Sequence, residues 1–130
     1  MESDILTRFT EGINKFNSGD FYECHDIIED VWFDVRGSSR RFYQGLIHLA
    51  VGFYHIIERD NSKGAISQLT KGITKLEEYS PEFQGVELKI LLQKVKACLT
   101  EIEKIKNGKS ESFNADLIPK IKFDKSKFII

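Results

Sequence analysis

From Arg40 to Ile57 the chain reads RRFYQGLIHLAVGFYHII, and no other stretch constrains the fold as strongly. At about 100° per residue, Phe42, Leu46, Leu49, Phe53 and Ile56 cover one side of a helix. Tyr43, Ile47, Ala50, Tyr54 and Ile57 cover much of the next. Only a narrow polar sector remains, so this helix predicts neighbours on nearly every side. Gly45 and Gly52 lie on it and each cost about 1 kcal/mol of helix propensity. Close approach of an adjoining helix is the expected compensation.

Flanking segments supply those neighbours. Ile5, Leu6, Phe9, Ile13 and Phe16 recur at helical spacing from about Ser3 to Asn17, and Ser18-Gly19 stops that helix. Asp20 then reads as a cap, with Glu23 in capping-box position. The second helix continues to about Val35, with Phe21, Cys24, Ile28, Val31 and Val35 inward and Asp26, Asp30 and Asp34 outward. Gly37-Ser38-Ser39 turns into the apolar helix. A fourth helix is expected from about Lys63 to Tyr79, with Ala65, Ile66, Leu69, Ile73 and Leu76 inward. A fifth is expected from about Gly85 to Lys106. The fold class expected is all-α: a compact bundle of about five helices over residues 1–108. Residues 109–130 form an extended, basic and apolar tail packing partly on it.

A chain of 130 residues holds one such domain, and 41% hydrophobic against 30% charged residues excludes disordered and fibrous classes. The net charge of −1 is unevenly spread. Residues 1–103 carry net −5 and residues 104–130 net +4, an imbalance that can touch an anionic surface or simply fold back on the acidic body. Cys24 and Cys98 lack metal-motif spacing and read as small buried thiols of a reducing compartment. MESDILTRF has no basic flank before an apolar run, so it does not read as a signal peptide. Gln44, His48 and His55 interrupt the longest apolar run, so no span is expected. A cytoplasmic location follows.

Chemistry concentrates in one constellation. Arg41, Gln44, His48 and His55 return to nearly the same side of the third helix. His25, Glu29 and Trp32 flank the apolar face of the second, Trp32 as a packing residue at the core edge. An antiparallel pairing of these helices would bring His25 and Glu29 toward His48, with Arg41 nearer the turn. Three readings stay open. The polar groups can form a structural network that fixes helix register, because buried polar groups need partners. His25, Glu29, His48 and His55 can hold zinc or iron for a metal-dependent, hydrolytic enzyme. Or the imidazoles and Glu29 can serve a small-ligand or acid/base pocket in which Arg41 holds an anion. Arg36, Arg40 and Arg41 cluster near the turn, where they can bind phosphate or neutralise the six acids between Asp20 and Asp34. No phosphate loop, zinc-finger spacing or nucleic-acid motif is present. Expected partners are a protein or a small anionic ligand, with a further copy of the chain open and nucleic acid not expected. The sequence names no cofactor.

The segments FNSGDFYECHDIIEDVW, from Phe16 to Trp32, and RFYQGLIHLA, from Arg41 to Ala50, resemble a family of small all-helical prokaryotic and plastid proteins known as the domain of unknown function 309. The resemblance runs from about Ile13 to Leu76 and implies a compact bundle of about five helices. The family's characteristic positions fall on Gly19, Phe21, Glu23, His25, Asp26, Glu29 and Trp32, then on Arg41, Gln44 and Gly45. His48 stands where many relatives carry Gln. The residues expected to bind a ligand are His25, Glu29, Arg41, Gln44 and His48, and those expected to be structural are Gly19, Glu23, Trp32 and Gly45. The resemblance brings no activity with it.

Overall fold

The computed structural model describes residues 2–129, with side chains from residue 4 onward. The protein is an all-α bundle of five helices followed by an extended C-terminal segment. The helices are α1 (Glu2–Asn17), α2 (Phe21–Asp34), α3 (Arg40–Glu58), α4 (Ser62–Glu77) and α5 (Lys89–Lys106). A single 3-10 turn, Gly37–Ser39, joins α2 to α3. Phe9, Phe42, Leu49, Phe53, Leu69 and Leu76 are fully buried and anchor one continuous core.

The chain reverses after α1 because Gly19 takes φ +80°, a left-handed conformation that a side chain disfavours. Its N–H reaches Phe16 O at 3.0 Å, and Asp20 N–H reaches Lys15 O at 2.9 Å, the paired bonds of a Schellman motif. This overturns the expected capping box. Glu23 would have to accept from the Asp20 N–H, which is already given to Lys15. Asp20 precedes α2 with ψ 68° and makes no side-chain capping bond. Gly108, at φ +76°, closes α5 with the same pair of bonds.

The central helix α3 makes its largest helix contact with α4 and its next with α2. Glycine sets the α3–α4 distance. A Cβ on Gly45 would lie 2.6 Å from Leu76 Cγ, one on Gly52 2.7 Å from Leu69 Cγ, and one on Gly72 2.9 Å from the Gly45 carbonyl oxygen. Asn61 starts α4 by accepting from Gly64 N–H at 2.9 Å.

The fifth helix starts at Lys89 rather than Gly85. Residues 82–87 instead form a small antiparallel hairpin of β1 (Glu82–Phe83) and β2 (Val86–Glu87). Gln84 and Gly85 both take positive φ, 52° and 79°, as the two-residue loops favoured in hairpins require. Val86 also bridges antiparallel to Phe123. The C-terminal segment thereby runs beside β2 and sets Phe123 and Phe128 against Phe9, with ring centroids 5.1 and 5.5 Å away. Asn17 holds it further upstream, donating to Ile121 O at 2.9 Å and accepting from Ile121 N–H at 2.7 Å.

Candidate functional site at the α2–α3 cleft

The polar sector of α3 is divided between two neighbours rather than turned wholly toward α2. The expectation of one seam between helices two and three is corrected here. Nδ1 of His48 lies 2.7 Å from Gln68 Oε1, and its Nε2 lies 2.8 Å from Lys75 Nζ, both on α4. Gln68 Oε1 accepts the Nδ1 proton and the ammonium of Lys75 donates to Nε2, which fixes a neutral imidazole. Burial, opposed by the Gln68 bond and reinforced by Lys75 and Lys71, holds the His48 pKa below its ordinary value. Arg41 points the same way, its guanidinium forked onto Glu78 with contacts of 2.7–3.2 Å. That ion pair is exposed.

His25 stays within α2. Its Nδ1 is 3.2 Å from Asp26 Oδ1, its Nε2 is 3.6 Å from Glu29 Oε2, and the Tyr22 ring lies against it. His55 lies beside Gly64 at the start of α4. The histidines therefore do not converge. Among the described residues, no group of three or more His, Cys, Asp and Glu side chains is placed to hold a metal ion. The two thiols are sequestered: burial pushes that of Cys24 up to about 12 and that of Cys98 up to about 11.

A shallow open cleft of about 140 Å³ does lie between α2 and α3, lined by Glu29, Trp32, Gln44, Ile47 and His48. Three of the five expected ligand-binding residues meet there; His25 lies outside its lining and Arg41 is engaged with Glu78. The Gln44 amide has no hydrogen-bond partner among the described residues. Trp32 packs at the core edge under the Arg40 guanidinium, 4.3 Å from the ring centroid. Its Nε1 is buried without a partner among the described residues.

The three arginines near the turn act separately. Arg36 donates to Phe33 O and Val35 O at the end of α2, Arg40 covers Trp32, and Arg41 meets Glu78. They neither gather around a common anion position nor neutralise the acids of α2. From Asp20 to Asp34 the chain carries six carboxylates and no Lys or Arg. Only Asp34 of these meets a basic side chain other than histidine among the described residues, at 2.7 Å from Arg8. Glu23 is exposed.

Sequence reasoning missed Gln68, Lys75 and Glu78, the partners that His48 and Arg41 take outside α2. Their signal was present: Gln68 and Lys75 lie seven apart and each immediately precedes an inward leucine, so they border the face α4 turns to α3.

Fold and cleft together define the class, a small helical protein with a polar cleft on its central helix pair. The model of the family described as Domain of unknown function (DUF309) matches residues 9–68. The match contains α2, α3 and every residue lining the cleft. The chain is 33% identical over 94 residues to the uncharacterized protein YpuF of Bacillus subtilis (strain 168), covering 70% of this chain and 53% of the relative. It is 27% identical over 88 residues to an uncharacterized protein of Aquifex aeolicus (strain VF5), covering 67% of this chain and 25% of that relative. The aligned region thus spans about half of one relative and a quarter of the other.

Proposed function

We propose that this protein is a protein-binding module whose α2–α3 face takes a basic segment of a partner. The observation that carries this reading is the charge of α2. Asp20 just before the helix and Glu23, Asp26, Glu29 and Asp30 along it face no Lys or Arg of α2, and Glu29 stands at the cleft itself. The half-exposed rings of Tyr22 and Phe33 flank this acidic surface. Aromatic rings beside carboxylates suit the aliphatic stems and cationic heads of Lys and Arg. A small anion is disfavoured, because Arg41 is committed to Glu78 and the acidic helix repels negative charge. No helix of the described residues is long and apolar enough to cross a membrane.

Trp32 is the chain's one tryptophan and lines the cleft, so its emission reports occupancy. Titration with a short oligolysine peptide should change that emission saturably, and added salt should weaken the binding. Glu29→Gln with Asp30→Asn should reduce affinity roughly tenfold, as two surface ion pairs contribute about 1–2 kcal/mol together. An unchanged signal, or an equal response to oligoglutamate, would refute the reading.

A further inference from the structure

The contact between Lys75 and His48 has the geometry of an amine beside a base. Lys75 Nζ lies 2.8 Å from His48 Nε2, and the opposite ring nitrogen is held by Gln68 Oε1 at 2.7 Å. That second bond keeps the ring proton on Nδ1, so Nε2 presents its lone pair to the amine. The charged groups acting on Lys75 are Arg41 from α3, Lys71 from α4 itself and Glu78 from the turn after α4. The one carboxylate among them is committed to Arg41 through three close contacts. Among the described residues Lys75 forms no ion pair, whereas Lys96, Lys104 and Lys127 each meet a carboxylate. The side chain is half-buried, so its ammonium loses water without gaining a carboxylate in ion-pair contact.

We propose that Lys75 is a nucleophilic amine, a site at which the folded chain is acylated by small anionic acyl donors such as acyl phosphates. In the step, Nζ attacks the donor's carbonyl carbon and the N–C bond forms. The C–O bond to phosphate breaks, and phosphate leaves with the electron pair. The proton lost from Nζ passes to His48 Nε2 and then to water. The exposed Lys71 ammonium supplies positive charge for the donor's phosphate. The product amide keeps an N–H for His48 Nε2 and removes one cation from the group formed with Lys71 and Arg41. Burial, with Arg41 and Lys71, also lowers the Lys75 pKa against the opposing Glu78, which increases the neutral amine near pH 7.

The test is acetylation of the intact chain by acetyl phosphate near neutral pH, with site-by-site rates read by mass spectrometry. Lys75 should react several-fold faster than the exposed Lys94 and Lys120, and unfolding in urea should abolish the difference. His48→Gln, which keeps an acceptor but removes the base, should slow Lys75 while leaving Lys94 unchanged. Gln68→Leu should also slow it by freeing the other tautomer. A folded wild-type Lys75 that reacts no faster than Lys94 overturns the proposal. So does a folded variant in which that rate ratio persists. Should either variant fail to fold, the wild-type rates against pH decide. Lys75 must reach its full rate at lower pH than Lys94, and coincident profiles overturn the inference.

Discussion

Substituting Gly72 by alanine sets two effects of opposite sign against each other. On helix propensity alone, the change should stabilise α4 by about 1 kcal/mol. Tertiary packing opposes it. The new Cβ would stand 2.8 Å from Leu49 Cδ2, 2.9 Å from the Gly45 carbonyl oxygen and 3.2 Å from His48 Cβ. Leu49 can rotate to a limited degree, but a backbone oxygen within α3 cannot move independently of its helix. Restoring ordinary contact requires α3 and α4 to separate by about 0.5 Å. A gap of that size forfeits about a quarter of the attraction between facing atoms along the largest helix contact in the molecule. Overpacking of this kind costs about 2–3 kcal/mol, and subtracting the propensity gain leaves about 1–2 kcal/mol of net destabilisation. Urea unfolding monitored by far-UV circular dichroism measures the result. With m of about 2 kcal/mol/M, the midpoint should fall by roughly 0.5–1 M. A midpoint at or above that of the wild type would show that propensity wins and that the glycine contact does not set the helix distance.

Trp32→Phe should leave stability within about 1 kcal/mol of the wild type, because removing the indole N–H, which has no partner among the described residues, offsets the lost ring area. Trp32→Ala should cost clearly more in the same unfolding assay, and equal losses would sink this account. The lowered His48 pKa makes stability depend on pH. The unfolded imidazole takes up its proton first, so this contribution is complete above about pH 6.5 and is lost as pH falls toward the depressed folded value. Stability should therefore drop less between pH 7 and pH 5 in His48→Gln than in the wild type; equal drops would contradict the sign.

The candidate site was less legible than the fold because the two rest on different information. Periodicity places a residue on a helix face but does not say which of two neighbours that face meets. His48 and Arg41 lie on the polar sector that the sequence indicates, yet α4 and the turn after it offer Gln68, Lys75 and Glu78 within reach and hydrogen-bond both side chains. Gln44 stays at the α2–α3 cleft with Glu29. The capping box failed for a similar reason. The spacing of Asp20 and Glu23 was right, but the donor it needed had already been claimed by the preceding helix end.

By itself the sequence determined the all-helical class, the central position of α3 and the burial of its apolar faces, because a 3.6-residue hydrophobic period admits few other solutions. Gly19 likewise announced the reversal between α1 and α2. Tertiary structure alone decided the Gln84-Gly85 hairpin, the path of the C-terminal segment past Val86 and Phe9, and the partner of each polar side chain. Those depend on which groups meet across long stretches of chain, and the competition for each donor and acceptor is settled only when the helices pack.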